Sequence, residues 1–171
     1  NSSYTVWSVP LIYGYETADA TVAAATGTAT YTGKGRLSLQ MPTDREWRKL
    51  DATLSVDFGK KTVGGSMKVS EADDHTKMTA GTLMIPTTAI SGNGFDATNA
   101  QLTINQTTNT ANNSTTQYVL NTANVNGTFY GVNGGVLGGT ITADGTVNTV
   151  DGNGNTTSTD VVINGGYIAE D

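Results

Sequence analysis

His75 is the single histidine of the chain and lies in the stretch EADDHTK, next to Asp73 and Asp74. A Ser-His-Asp arrangement would have to use it as the base. Its acidic, polar surroundings read instead as a solvated turn between two strands, with no sheltered pocket. Asp73–Asp74 and Asp44–Glu46 are the carboxylate pairs a glycosidase would need. Adjacent side chains of an extended chain point apart, and both sets read as solvated charge. Asp151, Asn153 and Asn155 match the opening of a calcium loop, but the twelfth position, where a bidentate acid belongs, is Val162. That segment reads as a turn. The absence of cysteine removes thiolate zinc sites, disulfides and a cysteine nucleophile. Haem ligation, by His75 or by a tyrosine or methionine, needs only one side chain, and His75 stands as a weak haem ligand. The expectation is a protein that is not an enzyme, with no catalytic residue and no metal site.

Recognition chemistry is better represented. DREWRK places Trp47 between Arg45 and Arg48, residue types that dominate the energetics of protein interfaces. The segment MPTDREWRK, residues 41–49, reads as a charged connection between strands, so Arg45, Trp47 and Arg48 form the candidate partner-binding site. The competing reading folds Trp47 down over the end of the fold, under a cation–π contact with the arginines. All nine basic residues lie between Lys34 and Lys77, in a window that also holds seven acids. Everything after Lys77 is acidic or neutral, and the net charge is −6. Such a division makes an electrostatically two-sided molecule. Nucleic acid is an unsuitable partner, because the balance is acidic and no basic run exists.

These residues need strands to hold them. The 171 residues suffice for one domain with a real core, and 21 glycines with abundant Thr and Asn favour short strands and turns. No apolar run reaches the roughly 18 residues of a membrane span. In LDATLSVDF, Leu50, Ala52, Leu54, Val56 and Phe58 share one face while polar residues share the other. The same alternation recurs in about 22–41, 63–69, 78–86, 94–105, 120–130, 135–143 and 160–168. Eight strands with one apolar face bury it by closing on themselves, which also removes exposed edges. The expected fold is all-β: an eight-stranded antiparallel up-and-down barrel with a filled interior. Leu54, Val56, Phe58, Val63, Met67, Phe95, Leu102, Ile104 and Phe129 should point inward. Tight turns are expected at Gly59-Lys60-Lys61, Gly92-Asn93-Gly94 and Asn133-Gly134-Gly135. Residues 105–117 and 144–160 read as polar loops. Residues 1–20 form a short aromatic-rich segment with Tyr4, Trp7, Tyr13 and Tyr15, expected to cap an open barrel end; residues 21–171 form the barrel domain. Asn1 reads as the start of a processed or trimmed chain, which leaves room for a lipid-anchoring cysteine removed upstream.

The order SVDFGKKTVGGSM, ISGNGFDAT, VNGTFYGVNGGVLGGTIT and GGYIAED resembles the C-terminal barrel of transferrin-binding protein B. It is similar also to the barrels of factor H binding protein, the neisserial heparin-binding antigen and haemophilin-type haemophores. The resemblance spans roughly residues 25–169. It implies a lipid-anchored surface protein or secreted effector of a Gram-negative bacterium, delivered by an outer-membrane translocon of the surface-lipoprotein-assembly-modulator type. It further implies non-catalytic binding of a host protein or host surface in iron or haem acquisition, colonisation or immune evasion. The alternative is a small-ligand carrier, a haemophore. A monomer is expected, touching the membrane only through a lipid anchor. No ligand residue of the family maps by motif onto this chain.

Overall fold

A computed structural model describes residues 14–171. Tyr4, Trp7 and Tyr13 therefore lie outside the described residues. A six-residue helix, α1 (Asp19–Ala24), precedes ten strands. These are β1 (Thr28–Gln40), β2 (Arg45–Asp57), β3 (Thr62–Val69), β4 (Gly81–Ser91) and β5 (Gly94–Ile104), then β6 (Thr107–Asn109), β7 (Ser114–Leu120), β8 (Ala123–Tyr130), β9 (Val136–Val150) and β10 (Thr156–Glu170). All pairings are antiparallel, in the order β10-β1-β2-β3-β4-β5-β8-β9, and β9 pairs with β10 to close the ring. The result is an eight-stranded up-and-down barrel. Short β6 and β7 add a small blade beside the outer half of β9.

Closure follows from the alternation. All nine residues expected to point inward are buried, and Leu54, Val56, Met67 and Phe129 are almost wholly so. The barrel is too narrow for a lumen, so side chains fill it. At one end Phe129 meets Tyr31 edge-on at 5.9 Å and Phe58 at 5.6 Å. The Tyr31 hydroxyl donates to the Gly134 carbonyl at 2.6 Å, which ties the β8–β9 turn to this aromatic layer. Helix α1 lies across the same end, with Val22 buried in the core. Lys61 Nζ donates to the Val22 and Ala25 carbonyls, both at 2.9 Å, and so satisfies acceptors at the helix C-terminus. Tyr15, expected to help cap this end, is 94 % exposed. Capping falls to α1.

One interior row runs through the middle of the barrel. Across β8, β9, β10, β1 and β2 the register aligns Gly127, Gly139, Tyr167, Gly35 and Leu50. The Tyr167 side chain lies against Gly127 and Gly35 in this row, and its hydroxyl donates to the Asn126 carbonyl at 3.0 Å. A Cβ on Gly127 would lie 2.5 Å from the Tyr167 oxygen. One on Gly139 would overlap the Asn126 carbonyl and come within 2.8 Å of the Gly127 Cα. The glycines here serve packing.

Burial, and then the Asp171 charge, push the Tyr31 hydroxyl up to about 12, and burial pushes Tyr167 further in the same direction. An unfolded tyrosine ionises near about 10. The stability these neutral hydroxyls contribute is complete below that pH and is lost as pH rises toward the folded values. The melting temperature should therefore fall steeply between about pH 10 and 12. The Tyr31→Phe/Tyr167→Phe variant should show a shallower fall in the same titration.

Three expectations are corrected. Residues 45–49 are the first part of β2, not a connection; the turn is confined to 41–44. The supposed loop 105–117 contains β6 and the first four residues of β7, and 144–160 contains the outer ends of β9 and β10. Asp151 organises the β9–β10 turn, accepting from the Asn153 and Asn155 amides at 2.9 and 2.8 Å and from Asn155 Nδ2 at 2.9 Å. Hydrogen bonds from Asn155 foremost hold its carboxyl below the usual range. The calcium-like spacing is a self-satisfied turn.

Candidate functional site: the basic outer wall

Because β2 alternates, Arg45, Trp47, Lys49 and Asp51 look outward while Glu46, Arg48 and Leu50 look in. The candidate trio is thus divided between two faces. Register places Arg36 of β1 opposite Lys49, Ser38 opposite Trp47 and Lys34 opposite Asp51. Lys68 of β3 continues the row from Asp51. The Arg36 guanidinium lies 4.5 Å over the Trp47 ring and that of Arg45 lies 5.9 Å from it. Trp47 is half-buried between them. Arg45 is held in place by Gln40, whose Oε1 accepts from Nε at 2.7 Å.

The β3–β4 loop, residues 70–80, folds against this wall. Asp73 pairs with Arg36 and stands 3.8 Å from Lys49. His75 Nδ1 is 3.0 Å from an Asp51 oxygen that also receives Lys34 at 2.7 Å. Burial pushes the Asp51 carboxyl up, but the hydrogen bonds and charges of Lys34 and His75 outweigh it and hold Asp51 below the usual carboxylate range. His75 thus sits on the outer wall with Nδ1 engaged by Asp51.

The outward charged positions of β1–β3 are Lys34, Arg36, Arg45, Lys49 and Lys68 against Asp51 and Asp57. On the other five barrel strands the outward charges are Asp96, Asp144, Asp160 and Glu170, with no cation. The two-sidedness legible in the sequence is real in space. Thr and Asn are the commonest residues at the outer positions elsewhere. Among the described residues no three His, Cys, Asp or Glu side chains gather as a metal would require.

Arg48 has a different task. It is buried in the second barrel mouth, donating to Glu46 at 2.6 Å and to the Ser70 carbonyl at 3.2 Å. Tyr118, on β7, reaches the same Glu46 carboxylate at 3.3 Å and pins the blade over the mouth. Burial, and then the Glu46 charge, raise the Tyr118 hydroxyl. Arg48→Met removes the buried charge partner of Glu46 and should cost about 2 kcal/mol in urea denaturation. It should leave ligand binding on the outer wall unchanged.

A model of the C-lobe and N-lobe β-barrels of transferrin-binding protein B matches residues 23–169. The chain belongs to this family. The chain is similar to solved structures of transferrin-binding protein B. One is from serogroup B Neisseria meningitidis, at TM-score 0.50 and 21 % identity, covering 91 % of this chain and 27 % of that one. A double mutant from Haemophilus parasuis Hp5 matches at TM-score 0.50 and 19 % identity, covering 91 % and 27 %. The intact two-lobed Ap-TbpB matches at TM-score 0.52 and 17 % identity, covering 90 % and 28 %. At these identities the likeness is one of fold. The chain spans little more than a quarter of those chains. No curated protein sequence matches it.

The sequence motifs find their places in this barrel. Gly92-Asn93-Gly94 is the β4–β5 turn, with Gly92 at φ 60° and Phe95 re-entering the core. What sequence reasoning missed is the company of Trp47. Arg36 and Lys49 stand beside it because of register, and Asp73 reaches Arg36 across 37 residues. No local pattern carries that contact.

Proposed function

We propose that this chain is a non-catalytic binding module of a Gram-negative cell surface, lipid-anchored or secreted, that captures a host protein in the service of iron acquisition. The observation that carries the reading is the family match over almost the entire barrel. Transferrin is the first host protein to try, since that is what the family's name protein binds. The filled interior supports binding on the outside: Tyr31, Tyr167, Phe129 and nine aliphatic or Met side chains are almost fully buried there, leaving no room for cargo. Delivery by a translocon of the surface-lipoprotein-assembly-modulator type belongs to the same reading. Co-expression of the precursor with that translocon should bring the barrel to the cell surface, and retention in the periplasm would refute that part.

The experiment is biolayer interferometry of immobilised iron-loaded transferrin against the purified chain. Saturable, salt-sensitive binding is expected. Absence of binding, together with a stoichiometric Soret shift on haem titration that His75→Ala abolishes, would replace this reading with the haemophore.

A further inference from the structure

We infer that the outer wall of β1–β3, centred on Trp47, docks an acidic segment of a partner protein, and that the chain's own β3–β4 loop occupies part of this surface as a stand-in for that partner. The inference rests on the proposed binding role and names the surface and the chemistry it selects.

Three observations carry it. The wall concentrates cations, and the rest of the barrel has none on its outer strands, so a carboxylate-bearing partner is steered to one side of the molecule. A carboxylate is already seated there, since Asp73 from the acidic stretch Glu71–Asp74 engages Arg36 and reaches Lys49. And the aromatic that anchors an interface, Trp47, lies among these charges with arginines against its ring. The distribution also selects the class of partner. Asp51 and Asp73 interrupt the cationic field, where a sulfated polysaccharide would need an unbroken strip. Lys68 pairs with no carboxylate among the described residues, and Arg45 pairs with the neutral Gln40. Arg45 beside the tryptophan and Lys68 further along the wall suit a protein segment that carries carboxylates near an apolar residue.

An internal occupant gives the idea a distinctive sign. Removing the Asp73 charge takes the loop's own carboxylate off the wall and should tighten binding, whereas substitutions on the wall itself should weaken it. The probe is a fluorescein-labelled peptide of ten glutamates, followed by anisotropy at low and moderate salt with the full chain. Arg45→Glu with Lys68→Glu should weaken binding at least tenfold, and Trp47→Ala should weaken it severalfold. Asp73→Asn should tighten it at least twofold. Lys60→Glu is the control, because Lys60 is an exposed cation at the opposite barrel end and should change nothing. The charge reversals remove no buried area, so an unchanged melting temperature keeps the comparison valid.

Equal weakening by Lys60→Glu, or no tightening by Asp73→Asn, overturns the proposal. So does tighter, Trp47-dependent binding of a heparin decasaccharide, or a sedimentation profile showing that a second copy's acidic wall fills the site. If the peptide results fail while transferrin still binds, this surface is wrong and the host-binding role stands. If the peptide results hold and no host protein binds, the role is wrong and the surface stands.

Discussion

Tyr167→Ala should destabilise the barrel by about 3–5 kcal/mol, among the largest losses expected from a single truncation here. The side chain lies against Gly127 and Gly35 in one interior row, and nothing adjacent can collapse into its place, because strand backbones line the cavity. The converse change should also be severe. Gly127→Ala places a methyl 2.5 Å from the Tyr167 oxygen and against the Phe95 ring, an overpacking that costs about 1–3 kcal/mol. The two effects are coupled, so they should not add. In a Tyr167→Leu background Gly127→Ala should lose much of its cost, with a coupling energy of about 1 kcal/mol or more. Urea denaturation of the four proteins measures this directly. Additive costs would show that the glycine is there for strand geometry alone.

Phe129→Ala should cost about 3–5 kcal/mol as well, for a different reason. Phe129 joins Tyr31 and Phe58 in the aromatic layer beneath α1, and its backbone carbonyl accepts from Thr17 at 2.8 Å. Loss of the ring should loosen both the layer and the segment that crosses it. Amide exchange of residues 17–25 should accelerate more than that of β3 or β4. If it does not, α1 is held by its own contacts, chiefly those of Val22 and Lys61.

These positions also show why parts of the fold were legible. Gly127 and Gly139 belong to one motif of the sequence and the Gly-Gly-Tyr ending to another, yet they meet in one row of the barrel. The motifs are modest alone because each supplies one component of a single packing unit. The apolar alternation in Leu50–Phe58 was readable because every second residue of that run is buried. The period vanishes in 45–49, where the inward residues are Glu46 and Arg48. They satisfy each other at the barrel mouth, so a true strand reads as a charged connection. The ends of β9 and β10 are hidden in another way. From about Thr146 and Thr156 they leave the barrel to form the blade with β7 and β6, where there is little core for one face to bury. Thr and Asn therefore occupy both faces, and the stretch reads as a loop.

The candidate site was legible in composition and not in arrangement. The confinement of all cations to 34–77 announced a polarised molecule, and DREWRK announced an anchor. Which of its residues face a partner depends on strand parity, which a mistaken loop assignment erases. Parity turns Arg48 inward to a structural ion pair and brings Arg36 and Lys49 outward to Trp47. The long-range contact of Asp73 with Arg36 arises only because β3 ends where β2 runs on alone past it.

The central claim is that this barrel is a rigid filled scaffold and that recognition occurs on the basic outer wall. Amide hydrogen exchange of the full chain, alone and with saturating iron-loaded transferrin, tests it most directly. The account predicts slowed exchange at residues 45–49 and 70–77, with the interior-facing strands β5, β8 and β9 unchanged. Protection confined to the hairpin tips at 110–113 and 151–155, or none at all, would contradict it.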